Sequence, residues 1–267
     1  MKKLWRNAKL LSSFAIISVV ICILRIASMD ANEWFPYAEE CFAFVYDIAL
    51  AYIASYIFYI LQVYLPERSR EKEMIPVLVI AQRNVQLFTI NLVLLWESFY
   101  KNSANGKSEF KRKEIWNQEK MLEAAKEIKL LEDSDTVDFS KKNITWKEKI
   151  EIACHELAEK GNAILNYRLN LLPSEVSLTI NYLINEGAML KGLSQNLEIL
   201  ERIGSLTAEY SLYDVLPVDL RSGEKCNISR DIDGICLLIK WVNDEYNYIN
   251  AESKGKYEKD IYRIDFS

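Results

Sequence analysis

The sequence has little of what enzyme sites are usually built from. It contains a single histidine and only eight glycines among 267 residues. One imidazole excludes zinc sites that need two or more histidines. The glycines form neither the phosphate-binding pattern G-x-x-x-x-G-K-[ST] nor a G-x-G-x-x-G turn. We therefore predict a protein that is not an enzyme, with no catalytic residue, no metal and no cofactor.

The remaining candidates for chemistry are weak in pattern. The segment HELAE at 155–159 departs from the zinc-binding motif H-E-x-x-H at its last position, and helical spacing places His155 on the solvent side. The acidic cluster at 132–138 lacks the ligand order and the glycine of an EF-hand. A net charge of −5 argues against direct nucleic-acid binding. The cysteines have no paired spacing and are expected to be free thiols: Cys22, Cys41, Cys154, Cys226 and Cys236.

Long apolar runs are present, and both lie near the N-terminus. They cover Leu10–Ser28 and Cys41–Leu65, and the second contains one charged residue. A helix of about 20 apolar residues spans a hydrocarbon core about 30 Å thick. Residues 1–70 are therefore predicted to form a transmembrane helical hairpin.

The charges that flank these runs predict the orientation of the hairpin. The segment between the runs contains no lysine or arginine, whereas basic residues lie on the other side of each run: Lys2, Lys3, Arg6, Lys9, Arg68, Arg70 and Lys72. Lysine and arginine near a span stay in the cytoplasm. We expect a multi-pass protein of the bacterial inner (cell) membrane with both termini cytoplasmic, and Trp34 and Phe35 in the outer interface.

A cleaved signal peptide is the alternative for the first run, because basic residues precede a short apolar segment. Against it, Arg25 stands where a small-residue cleavage site should follow, and Ala27-Ser28-Met29 fits such a site poorly.

Two ionisable residues, Arg25 and Asp47, lie within the predicted spans at similar depth. An ion pair between them would reduce the cost of burying either charge in lipid. A gate or an ion-pathway element is one interpretation. The other is structural: Arg25 extends to the surface, and Asp47 locks the hairpin or meets water.

Two further faces of the second span are distinctive. Tyr52, Tyr56 and Tyr59 share one face at helical spacing, and tyrosine hydroxyls within a bilayer need hydrogen-bond partners. Small or polar residues recur at intervals of four in a second row, Ala43, Asp47, Ala51 and Ser55. Packing within one hairpin is able to satisfy both faces, but self-association into a homo-oligomer satisfies them better.

Residues 71–107 are expected to form a juxtamembrane amphipathic helix, with Pro76 in its first turn, and a loop. A core helix of the next domain is an alternative. A third span is another, although Arg83 and several amides near its centre would be costly.

Residues 108–267 read as a cytosolic helical bundle. Helices are predicted over Glu109–Leu131, from a capping box of Thr145 and Glu148, from Pro173 to about Leu200, around Ser205–Val215, and over Ser229–Ser253. The fold class is therefore all-α: a transmembrane helical hairpin followed by a helical bundle.

The arrangement resembles a known class of proteins. A basic N-terminus, two spans that end in IFYILQVYLPERSREK (57–72) and one helical cytosolic domain resemble the two-transmembrane effectors of bacterial anti-phage systems, including those paired with retron reverse transcriptases. The resemblance implies an effector that permeabilises the inner membrane of infected cells and is kept inactive by a cytosolic protein or ribonucleoprotein. It assigns no role to individual residues. The alternative is a membrane-anchored helical scaffold or receptor that recruits a cytosolic protein.

Overall fold

The chain is mostly helical, which confirms the predicted all-α class at the level of secondary structure. About 80% of the described residues are helical in the computed structural model. The chain forms two compact units, Met1–Met74 and Ile75–Ser267. The structure describes residues 2–27, 37–103, 117–137, 143–168, 172–204, 206–218 and 228–264.

The helices of the described residues are α1 (Lys2–Ala27), α2 (Ala38–Tyr59), α3 (Leu65–Asn102), α4 (Gln118–Glu127), α5 (Trp146–Arg168), α6 (Ser174–Asn185), α7 (Leu193–Arg202), α8 (Leu212–Val215) and α9 (Ser229–Ser253). Two π-helical turns, Ile60–Tyr64 and Ala188–Gly192, precede α3 and α7. Two short strands, β1 (Asp133–Val137) and β2 (Asn143–Thr145), pair antiparallel.

In the first unit, α1 and α2 pack side by side and antiparallel. Ser12 contacts Tyr56 at one end of the pair, and Arg25 contacts Glu39 at the other. By length and composition alone, one helical stretch of the described residues, Glu39–Asn102, is able to cross a membrane, and only 6% of its most apolar window is buried. Leu11–Ala27 is apolar but shorter. The connecting segment 28–36, with the predicted interfacial Trp34 and Phe35, lies outside the described residues.

In the second unit, α3 supplies much of the core. Its buried apolar residues there are Ile75, Val79, Ala81, Val85, Phe88, Leu92, Val93, Leu95, Trp96, Phe99 and Tyr100. Trp96 Nε1 donates to the carbonyl of Met189 at 3.3 Å, and the Phe99 ring lies 5.6 Å from that of Trp146. This packing corresponds to the core-helix alternative for the segment.

The sequence placed the start of this helix wrongly. Pro76 was expected in a first turn, but α3 begins at Leu65 and contains Pro76 in its interior. The π-helical turn Ile60–Tyr64 joins α2 to α3 without an intervening loop. The expected loop at 102–107 falls largely outside the described residues.

The predicted continuous helix from Pro173 to Leu200 is also wrong. Helix α6 ends at Asn185, and a π-helical turn separates it from α7. At Gly187 a Cβ atom would lie 2.9 Å from the carbonyl oxygen of Leu183 and 3.1 Å from Oδ2 of Asp231. The chain turns here because a glycine allows this close approach.

The strand pair was not predicted. Asp133 pairs with Thr145 in the register of the two strands. The Asp135 carboxylate forms an ion pair with Lys149 and accepts a hydrogen bond from Asn102 at 3.2 Å. The acidic cluster is thus partly built into a strand, and the described residues contain no group of acidic, histidine or cysteine side chains that could hold a metal ion. Asp138 lies outside the described residues.

Several local predictions are confirmed. Thr145 and Glu148 form the capping box at the start of α5, with the Thr145 backbone N–H donating to Glu148 Oε2 at 2.8 Å and the Glu148 N–H donating to Thr145 Oγ1 at 3.3 Å. Helix α9 has the predicted bounds, and Gly255 beyond it has a positive φ of 78°.

Two helices are shorter than predicted. The helix expected over Glu109–Leu131 is α4, which follows its Asn117 cap and ends at Glu127, and 104–116 lies outside the described residues. The helix expected around Ser205–Val215 is the single turn α8.

The described part of the chain after α9 packs against α3 and α9 and adds no strand. Asn243 Nδ2 donates to the Ile264 carbonyl at 3.1 Å, and the Ile264 N–H donates back to Asn243 Oδ1 at 2.9 Å. The buried Gln82 of α3 donates to the carbonyls of Val242 and Tyr262. These bonds hold the C-terminal segment to both α3 and α9.

Candidate functional site

The interface between α1 and α2 contains hydroxyl groups. Tyr56 OH lies 2.6 Å from Ser12 Oγ, and Tyr52 OH donates to the backbone carbonyl of Leu11 at 3.1 Å. The Tyr52 ring also meets Phe14 edge-on, with ring centroids 6.3 Å apart. The tyrosine face of α2 therefore packs against α1.

Small side chains are buried in the first unit. Ala15 and Ser18 of α1 and Ala49 of α2 are the most buried of its described residues, with Ala49 only 2% exposed. Small residues let helix backbones approach each other, as at helix contacts in membranes.

The outer surface of the pair is apolar. Its exposed large side chains include Ile16, Ile17, Val20, Ile23 and Leu24 of α1 and Phe42, Phe44, Ile48, Ile57 and Phe58 of α2. Polar groups inside and apolar groups outside are the reverse of a pattern stable in water, where exposed apolar patches are small. The arrangement suits a hydrocarbon solvent.

Arg25 does not pair with Asp47. Its guanidinium Nη2 lies 3.6 Å from Oε1 of Glu39, near the start of α2. The Arg25 side chain is 22% exposed and that of Glu39 is 70% exposed. This ion pair lies at the end of the helix pair next to the connecting segment.

Asp47 lies on the outer surface of α2. It is exposed, as are Ala51 and Ser55 of the same row, and no hydrogen bond or ion pair joins its carboxylate to another described residue. These three residues of the row are therefore not buried by packing against α1, whereas Ala43 is half-buried. Asp47 is a charged group surrounded by the apolar side chains of the outer surface.

Tyr59 is half-buried, and its hydroxyl bonds to no described residue. The structure thus brings Tyr52 and Tyr56 together with α1 but leaves Tyr59 and Asp47 apart from them. Sequence reasoning missed Ser12 and Glu39. The signal for Ser12 is a hydroxyl at the position of α1 that faces the tyrosine row of an antiparallel partner.

A second polar centre is buried in the second unit. Asp231 of α9 is fully buried, and its carboxylate accepts hydrogen bonds from Tyr182 OH at 2.7 Å and from the Met189 N–H at 2.6 Å. The Arg230 guanidinium lies over the Tyr182 ring, 4.0 Å from its centroid. Asp231 caps the π-helical turn at Ala188–Gly192. Burial raises the pKa of its carboxyl group, opposed by these hydrogen bonds.

The nucleophile candidates have the environments of structural residues. His155 is 76% exposed and lies 3.4 Å from Glu159 Oε1. Cys154 is buried, and burial raises the pKa of its thiol to about 12. A thiol in this state is a poor nucleophile, because the thiolate is the reactive form. Cys22, Cys41, Cys154 and Cys236 are free, and Cys226 lies outside the described residues.

The chain was compared with known proteins at three levels. No family model matches it, and no curated protein or solved structure is detectably similar to it.

Proposed function

We propose that the protein is a non-enzymatic effector of the bacterial inner membrane, which permeabilises the bilayer in anti-phage defence when a cytosolic partner releases it. In this proposal, α1 and α2 cross the membrane as a hairpin with both termini in the cytoplasm. Several hairpins then assemble and let ions pass. The second unit holds the chain inactive until a protein or ribonucleoprotein partner is lost or altered.

The position of Asp47 is the observation that carries this proposal. A charged side chain facing lipid near the middle of a helix costs several kcal/mol, so such residues normally face water or another helix. Helix α1 does not cover Asp47, because α1 packs on the tyrosine face. A neighbouring hairpin or a water-filled path is what remains, and the small side chains of Ala51 and Ser55 allow a close approach there.

A membrane-anchored scaffold is the second candidate, and it has its own support. Ile199 and Ile203 are 54% and 66% exposed, one helical turn apart at the end of α7. Adjacent exposed apolar side chains are typical of surfaces that bind other proteins. In this function the hairpin serves only to hold that surface at the membrane.

The experiment is to express the chain alone and follow the membrane potential with a voltage-sensitive dye. We expect the wild-type chain to depolarise cells. Asp47→Leu, present in the membrane in the same amount, should restore the potential, because a leucine faces lipid without a cost in free energy. The double change Tyr52→Phe and Tyr56→Phe should weaken depolarisation roughly tenfold, since a hydrogen bond between membrane helices contributes about 0.6 kcal/mol on average and the loss of two approaches the ~1.4 kcal/mol of a tenfold change. Tyr46→Phe is the matched control, because its hydroxyl bonds to no described residue.

Two results would contradict the effector proposal. One is depolarisation that is equally strong with Asp47→Leu. The other is an unchanged potential in wild-type cells together with full tolerance of an unrelated hairpin in place of 1–70. The second result would favour the scaffold.

A further inference from the structure

Helix α3 has an exposed face that is unusually poor in charge. Between Val77 and Leu94, its exposed arc contains one charged side chain, Arg83, while the opposite side is buried in the second unit. Ile80, Leu87 and Leu94 are 46%, 45% and 49% exposed. A helix face that remains in water normally carries charged and polar residues. This face is therefore expected to be covered.

The residues of the arc follow a heptad pattern. Residues 77, 80, 84, 87, 91 and 94 are spaced alternately by three and four, which places valine or asparagine at each a position and isoleucine or leucine at each d position. The a positions, Val77, Asn84 and Asn91, are half-buried beside the exposed d positions. The pattern extends for about 25 Å at 1.5 Å per residue.

The two asparagines identify the partner. Neither Asn84 nor Asn91 makes a hydrogen bond to another described residue. An asparagine at an a position of a parallel two-stranded coiled coil pairs with the same asparagine of the other strand and so selects a dimer in register. Against lipid or an antiparallel strand, both amides would face apolar groups, which costs free energy.

We infer that α3 is a parallel dimerisation helix, and that a second copy of this chain covers its exposed face from Val77 to Leu94. The interface is isologous, so each residue meets its own counterpart across a two-fold axis. The parallel direction rests on the proposed membrane function. Copies inserted in one membrane with the same topology are related by rotation about the membrane normal, which keeps equivalent helices parallel where they run along that normal, as the seam requires of α3.

The seam is short, about two and a half heptads, and is weak by itself. Anchoring both copies in one membrane raises their effective concentration and makes a weak contact sufficient. A weak cytosolic seam that follows the hairpin in the chain also suits an assembly that a partner is able to prevent. The second unit would then control how closely two hairpins approach.

Cysteine crosslinking in native membranes tests the inference on the full chain, with Cys22, Cys41, Cys226 and Cys236 replaced by serine. We expect Leu87→Cys to form about tenfold more covalent dimer on mild oxidation than Leu178→Cys, since d positions of a parallel seam lie close to their counterparts. Leu178 of α6 is the matched control, an exposed leucine (68%) on another helix.

Register and direction are tested with two more positions. Ile80→Cys and Leu94→Cys should each crosslink to themselves, whereas a mixture of the two chains should give no mixed dimer. Mixed dimers in place of the self-crosslinks would overturn the parallel seam. Two results together would assign the face to lipid and overturn the inference. One is crosslinking at Leu87 that is no greater than at Leu178, and the other is quenching of a fluorophore at Leu87 by a nitroxide lipid. Absence of both signals would assign it to another protein, with the same consequence.

Different results would overturn the α3 seam and the proposed effector function. Leu87→Glu should abolish the Ile80→Cys crosslink and reduce depolarisation, whereas Leu178→Glu should do neither. A dimer without depolarisation would contradict the effector function and leave the seam intact. Depolarisation by chains that never crosslink along α3 would overturn the seam and leave the effector function.

Discussion

At the scale of single residues, Asp231 is a carboxylate buried in the second unit. Asp231 accepts hydrogen bonds from Tyr182 and Met189, which lie in α6 and the following π-helical turn. It thus joins α9 to the place where the α6–α7 segment changes direction. Burial of a carboxylate is costly, and the hydrogen bonds offset part of this cost.

The pH dependence of stability should show this cost. Because burial raises the pKa of Asp231, the folded state binds its proton more tightly than the unfolded state does. The contribution of Asp231 to the free energy of unfolding therefore falls as pH rises from about 4 through the raised pKa, and is constant above it. We expect the free energy of unfolding of wild type minus that of Asp231→Asn to decrease across this range.

Urea unfolding of the full chain in detergent, followed by tryptophan fluorescence, provides the measurement. The asparagine keeps both contacts, since its oxygen accepts from Met189 and its amide donates to the Tyr182 oxygen. Asp233→Asn is the control, an exposed carboxylate two residues further along α9, and should change the profile less. A difference that is independent of pH would show that Asp231 does not titrate in this way.

At the scale of elements, the break between α6 and α7 is determined by two glycines. Gly187 allows the turn beside Asp231, and Gly192 faces Pro217 at the end of the π-helical turn. A Cβ atom at Gly192 would overlap the Pro217 ring. Leucines do recur at helical spacing through this region. The position of the break is nevertheless decided by steric contacts with neighbouring elements.

Gly192→Ala should therefore lower the free energy of unfolding by about 2 kcal/mol, as expected for overpacking of a rigid contact. Thermal or urea unfolding measures the loss. Pro217→Ala removes the ring, so the double variant should recover most of the stability that Gly192→Ala loses. Equal losses in the single and the double variant would place the cause elsewhere.

At the scale of the whole molecule, the chain combines a unit that is apolar outside with one that is apolar inside. The first unit buries hydroxyls of Tyr52 and Tyr56 between its helices. The second has a core of leucine, isoleucine and aromatic side chains and carries its charges mainly on the surface. These two arrangements suit two different solvents, lipid and water.

The natural cysteines test the proposed topology. Cys41 is exposed near the start of α2, next to the segment predicted to lie outside, and Cys236 is exposed on α9. A membrane-impermeant maleimide should label Cys41 in intact spheroplasts and Cys236 only after lysis. Cys154 should stay unlabelled until the chain unfolds, because it is buried and its pKa is about 12. Labelling of Cys236 before lysis would contradict a cytoplasmic C-terminal unit.

Much of the secondary structure was predictable because it depends on neighbours in the sequence. The capping box at Thr145 and the bounds of α9 follow from caps, glycine stops and apolar spacing, all of which act within one or two helical turns. The heptad spacing along α3 was equally visible in the sequence. It was missed because the segment was interpreted as an amphipathic helix, a core helix or a third span, and not as a seam between two helices.

The features of the structure that could not be predicted depend on contacts between residues distant in the sequence. Sequence alone established two long apolar runs, a charged helical remainder and the lack of metal-site and nucleotide motifs, since composition and periodicity are local properties. Only the tertiary structure decided that Arg25 meets Glu39, that Asp47 lies outside the helix pair, and that Gly187 breaks the α6–α7 segment. The physical reason is that partners and steric limits are set by which surfaces meet in space.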